Sequence, residues 1–192
     1  GRRRSTKRTG DVVLGFGLLF LGMKVMSQYL GPLVKQPATA HLVTSFAVHP
    51  ALGVLVGLVL TAVVQSSSAV TGLLIALALD GALSLGSAVP LVLGANIGTC
   101  VTALLASVGT SLMARRAAVV HLLFNVIGTA FVLPFLGPFE RAVTALGGDV
   151  PRQIANAHTM FNVLVSLVML PAARCLVALA TRLVPGRDEV LR

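Results

Sequence analysis

The chain has 192 residues, 56% of them hydrophobic and 11% charged, with a net charge of +9. Soluble domains carry roughly 25% charged residues, so a water-soluble globular class is excluded and the chain reads as an integral membrane protein. Arg2, Arg3, Arg4, Lys7 and Arg8 supply five of the positive charges just before the first apolar run. There they read as a cytoplasmic flank obeying the positive-inside rule, not as a nucleic-acid surface.

Val12–Leu30 is the first spanning candidate. Gly15, Gly17 and Gly22 give it a small-residue face suited to close helix packing in lipid. Lys24 is a cation inside this apolar segment and can snorkel or face protein. Residues 31–49 read as a connection; His41 and His49 lie there without Cys or acidic companions, so no metal site is expected.

Residues 50–80 form an apolar run with four polar residues at its centre, Gln65, Ser66, Ser67 and Ser68. A spanning helix needs ~20 apolar residues, and the flanking pieces 51–64 and 69–79 are each too short to cross alone. The run is therefore one over-long helix or two half-length arms meeting at a polar tip. Irregular backbone at membrane depth is tolerated only when it is buried in protein or lines a wet cavity, so the tip is a candidate binding site.

In the hairpin reading the first arm ends at the tip with free carbonyls, and the second begins there with free N–H groups. Ser67 or Ser68 is the expected N-cap of the second arm. Broken helices of secondary transporters hold an anionic solute and its coupling cation with such ends. Thr61 and Thr71 flank the tip and add oxygens. Without an acidic partner or a G-x-S-x-G motif, the serines do not read as nucleophiles, and no enzyme activity is expected.

After a short turn at 80–87, residues 88–108 form a second apolar segment interrupted by Gly94, Asn96, Gly98, Thr99 and Thr102. A non-helical break and a helix-packing face are equally open there. Residues 117–136 and 154–184 follow, and they contain an internal repeat. His121, Phe124 and Asn125 recur as His158, Phe161 and Asn162, 37 residues on. At i, i+3 and i+4 these share one helix face. The two helices are expected to pair through His–Asn hydrogen bonds, which makes Asn125 and Asn162 structural or site-lining residues. Residues 137–153 read as a loop with no net charge, and Cys100 and Cys175 form no disulfide framework.

Charge separates the two readings of the central run. With the hairpin, the N-terminal cluster, Arg115–Arg116 and the C-terminal arginines all fall on the cytoplasmic side; with a full crossing, the last two blocks move outside. The expected fold is all-α and polytopic: about four transmembrane helices plus a re-entrant hairpin. Residues 1–11 form a basic cytoplasmic segment, 12–185 the membrane domain and 186–192 a cytoplasmic tail.

Residues 61–72, T-A-V-V-Q-S-S-S-A-V-T-G, followed by 93–103, L-G-A-N-I-G-T-C-V-T-A, resemble the type II sodium/phosphate cotransporter family. The opening G-L-L-F-L-G-M-K-V-M-S and the A-H-T-M-F-N-V segment are also similar to it. The resemblance implies sodium-coupled symport of inorganic phosphate across the inner membrane by alternating access, with sodium the coupling ion and no cofactor. Gln65, Ser66, Ser67 and Ser68 carry over as phosphate and sodium ligands, and Asn96 and Thr99 as further candidates. Family members resemble two inverted repeats, each with a QSSS hairpin, whereas this chain carries one. The implied unit is half of a transporter whose partner is a second QSSS-bearing repeat or subunit. The alternative is a non-transporting membrane subunit that requires such a partner.

Overall fold

The computed structural model describes residues 2–186. Arg187 and Arg192, part of the expected tail, lie outside the described residues, as do the side chains of Arg2, Arg3 and Arg4. Among the described residues the fold is all-α: α1 Arg2–Val34, α2 Pro37–Val48, α3 Pro50–Val64, α4 Ser67–Leu79, α5 Leu85–Ser107, α6 Leu112–Val132, α7 Leu136–Ala145, α8 Val150–Met169 and α9 Ala173–Leu183. A 3-10 turn, Leu133–Phe135, joins α6 to α7. Three stretches are long and apolar enough to cross a bilayer; the bent pairs α2–α3 (116°) and α8–α9 (85°) raise the number to as many as five. The protein is a polytopic helical membrane protein.

α5 is the axis of the fold, touching α2, α3, α4, α6, α7 and α8. Its seam with α3 is built from glycines. Gly57 packs on the Leu91 carbonyl, Gly94 on the Val54 carbonyl, and a Cβ at Gly98 would stand 2.6 Å from the Leu58 carbonyl oxygen. Without side chains at these positions the two backbones touch, the close approach that lipid-embedded helices use in place of hydrophobic collapse. The pairs advance together, Gly53 beside Pro90 and Thr61 beside Gly98, so α3 and α5 run parallel. α4 joins the end of α3 to the start of α5, and must therefore run back between them. The chain reverses at Gln65 and Ser66.

Gln65 makes this turn with φ 60° and ψ 23°, the one left-handed residue other than glycine among those described. Such a conformation costs on the order of 1 kcal/mol or more and persists only where the surroundings enforce it. Its N–H closes α3 on the Thr61 carbonyl at 2.6 Å. Ser66, not Ser67 or Ser68, is the N-cap of α4: its Oγ accepts from the Ala69 N–H at 3.2 Å.

Several expectations change. Residues 31–49 are not an open connection: α1 continues to Val34, and Pro37, with its φ already fixed for a first helical turn, starts α2. The polar residues at 94–102 do not break α5, which is continuous. Its glycines serve packing, because helix geometry satisfies the backbone while their missing side chains admit α3. Gly15, Gly17 and Gly22 do not mediate close packing; nothing among the described residues lies within 4 Å of a Cβ built there. The loop at 137–153 is largely α7, whose Phe139 and Val143 are buried.

α6 and α8 run antiparallel. Gly128 packs on Val165, while Met160 and Leu164 line the same apolar cavity as Phe131 and Phe135. Arg116 at the start of α6 donates to the carbonyls of Val184 (3.2 Å) and Gly186 (3.1 Å), beyond the end of α9. Asp80, Gly86 and Glu140 collect at the opposite end of the bundle, where Ser27 donates to Asp80. α1 runs parallel to α4, with Met23 beside Gly72 and Gly31 beside Asp80, so its basic start points to the Arg116 end. In a Cys175→Ser background, Pro37→Cys is expected to react with an impermeant maleimide added outside intact cells, and Arg115→Cys to react only after permeabilisation. The reverse pattern would invert the topology.

Candidate functional site

The hairpin tip meets the bundle at half height. Asn96 is the middle residue of the 23 in α5, and a cavity of about 240 Å³ opens beside it. α4 contributes Ser67, α5 Asn96 and Thr99, α6 His121, Phe124 and Asn125, and α8 His158 and Asn162. Five residues named from the sequence as candidate site residues, Ser67, Asn96, Thr99, Asn125 and Asn162, thus converge from four helices, although Ser67 and Asn162 lie far apart in the chain.

The polar wall is held by a chain of hydrogen bonds. Asn96 is buried and donates through Nδ2 to the Val92 carbonyl at 2.8 Å, while its Oδ1 accepts from Asn162 Nδ2 at 3.2 Å. Asn162 also donates to the His158 carbonyl at 2.8 Å, one turn back on its own helix. Asn125 repeats the scheme on α6, donating to the His121 carbonyl at 3.0 Å and to Cys100 Sγ at 3.4 Å. Thr99 Oγ1 donates to the Ala95 carbonyl at 3.1 Å. The expected His–Asn side-chain bonds between the two helices do not form. Each asparagine instead spans its own backbone and α5, because both helices present that face to α5. The signal for His121 and His158 as cavity residues was the 37-residue repeat itself, first read as helix pairing.

The other expected site residues divide. Thr61 and Thr71 are buried with hydroxyls that have no partner among the described residues. Thr61 packs on Gly98, level with the cavity, and Thr71 lies one turn below Ser67 on the same face of α4. A buried hydroxyl without a partner costs about 1–3 kcal/mol, which is sensible where a ligand supplies the missing bond. Gln65 and Ser68 are exposed, and Ser66 is engaged as the cap; none of the three lines the cavity. No Asp, Glu, Lys or Arg lines it either. Among the described residues no three His, Cys, Asp or Glu side chains form a metal-binding group. What the site offers is a helix N-terminus, hydroxyls and amides: donors for an anion, and oxygens for a hard monovalent cation.

Residues 32–148 match the sequence profile of a family described as Na+/Pi-cotransporter. The chain is 36% identical to the uncharacterized protein YqeW of Bacillus subtilis, over 96% of this chain and 60% of that protein. It is 29% identical to YjbB of Salmonella typhimurium, a protein named for inorganic phosphate export, over 98% of this chain and 35% of that one. It is 37% identical to sodium-dependent phosphate transport protein 2C of Rattus norvegicus, over 64% of this chain and 21% of that one. The chain thus spans only part of each of these relatives. No solved structure matches it.

Proposed function

As the chain belongs to the Na+/Pi-cotransporter family, a family of transporters and not of enzymes, we propose that it carries inorganic phosphate across the cell membrane, coupled to sodium, as one hairpin-bearing half of a larger unit. The observation that supports this best is the convergence of Ser67 with Asn96, Thr99, Asn125 and Asn162 on one cavity at the half height of α5. Phosphate sits at the N-terminal end of α4, taking hydrogen bonds from Ser67 and from the Asn96 Nδ2–H not given to Val92, while Thr99, Asn125 and Asn162, whose donors are engaged with other protein groups, shape the wall. Sodium takes oxygens from the tip, where Thr61 and Thr71 hold hydroxyls that lack partners among the described residues. Access to this site alternates between the two sides of the membrane.

Exposed Gln65 and Ser68 favour the two-hairpin unit. At membrane depth each unsatisfied polar group costs several kcal/mol, and a second QSSS hairpin placed against the first covers them. The chain alone is then a subunit that is silent until its counterpart is present.

Reconstitution in liposomes tests both parts. The chain alone is expected to give no phosphate flux. Together with a second QSSS-bearing segment it is expected to give a flux that falls about tenfold or more when potassium replaces sodium. Flux from a monomer of this chain alone refutes the two-hairpin unit, and absence of flux from the assembled pair refutes phosphate transport. Flux that persists in potassium refutes the coupling. Because one relative is named for phosphate export, flux is followed in both directions.

A further inference from the structure

The cavity must neutralise an oxyanion, yet its wall carries no lysine or arginine. A charge held at membrane depth is costly unless it is paired. The wall groups able to become cationic are His121 and His158, and both are half-buried. Their backbone carbonyls accept the Asn125 and Asn162 amides, but neither imidazole ring makes a hydrogen bond among the described residues. Two rings with no structural partner, on the wall of a polar cavity, are poorly explained as glue between helices.

We propose that His121 and His158 are oxyanion-binding residues of this cavity, and that protonating them supplies part of the positive charge that phosphate requires. The proposal rests on the phosphate reading above and deepens it: binding of phosphate is accompanied by uptake of a proton. The two histidines come from antiparallel helices, and the repeated motif brings both to the cavity that the Asn96–Asn162 pair lines. The facing elements add no competing charge. α4 offers Ser67; α5 offers Asn96, Thr99 and, behind Asn125, the buried Cys100 thiol; α6 and α8 offer the two asparagines. An anion beside an imidazole favours its charged form, and histidine is the side chain that changes charge between about pH 5 and 8. The proton taken up is drawn from the solvent, and no bond other than N–H forms. The sign is fixed: affinity for phosphate carried in this way rises as pH falls, until the histidines of the empty cavity are themselves protonated.

Calorimetric titration of the assembled, sodium-loaded protein in nanodiscs with inorganic phosphate tests this, run in two buffers of different ionisation enthalpy so that the difference in heat reports protons. Wild type is expected to take up protons as phosphate binds. His121→Ala with His158→Ala is expected to weaken binding about tenfold or more. His121→Gln with His158→Gln keeps a donor at each position without a titrating group; it is expected to bind phosphate more weakly than wild type but less weakly than the alanine pair, and to lose the proton uptake. The glutamine pair also decides the matter should the alanine pair not fold. Unchanged proton uptake in the glutamine pair, or wild-type affinity in the alanine pair, overturns the proposal while leaving phosphate transport standing. Wild type that binds no phosphate at any pH overturns the phosphate reading, and this one with it.

Discussion

Gly94→Ala is expected to lower the thermal midpoint by roughly 10 °C, taking overpacking at ~3 kcal/mol or more and ~2–4 °C per kcal/mol for a chain of this size. Phosphate flux through the assembled unit should be lost with it. The added methyl runs into the Val54 carbonyl and the Leu58 N–H. Both are backbone atoms of α3, and α3 has no room to yield, since Gly57 of the same helix already rests on the Leu91 carbonyl. Separating α3 from α5 displaces Thr61 and the tip, and with them the register of Ser67 against Asn96. The control is Gly15→Ala on α1. Nothing lies within 4 Å of its Cβ, and alanine favours a helix over glycine by about 1 kcal/mol. Thermal unfolding in detergent and flux in liposomes measure both effects. A Gly94→Ala protein with the wild-type midpoint would show that the seam is looser than its geometry.

The three serines of the tip are expected to respond differently. Ser67→Ala removes the hydroxyl that lines the cavity. A hydrogen bond to a charged group is worth about 1.5–3 kcal/mol, so phosphate affinity should fall between about tenfold and a hundredfold with little change in stability. Ser66→Ala removes the cap of α4 and should cost about 1 kcal/mol of stability, with affinity changed less. Ser68→Ala should leave the isolated chain unaffected, and weaken transport only where a second hairpin covers that exposed side. Phosphate binding and thermal unfolding, measured on all three with and without the partner hairpin, test the pattern. Equal losses of affinity in all three would mean that the tip acts as an undivided polar cluster.

The hairpin and the spanning segments were legible because bilayer thickness acts directly on segment length and composition. The convergence of Asn96, Thr99, Asn125 and Asn162 was only partly legible. Each residue carried a local signal, an amide or hydroxyl in an apolar run, but which helix faces another is set by tertiary packing. Gly94 and Gly98 show why: in sequence they fit a break in α5 as well as a packing face, and only the proximity of α3 separates the two. The roles of the repeated motif were misread because spacing reveals a shared helix face without saying what lies opposite it. The partner of both asparagines was α5 and not the other copy of the motif. α2 was missed because Pro37 and Pro50 bracket a short segment that looks like a linker, whereas each proline starts a helix.

The short arms of the hairpin also bear on how the protein is made. α3 and α4, 15 and 13 residues long, leave the ribosome before α5, the helix on which both rest. At ~1.5 Å per residue neither arm reaches across the ~30 Å hydrocarbon layer, so neither offers the insertion machinery a complete span. The tip cannot lodge among lipid tails with its amides and hydroxyls bare. The hairpin therefore has to wait, in the translocation channel or at the interface, until Leu85–Ser107 has been synthesised and the glycine seam has somewhere to dock. Membrane integration of this chain is in that sense a tertiary folding event, timed by α5.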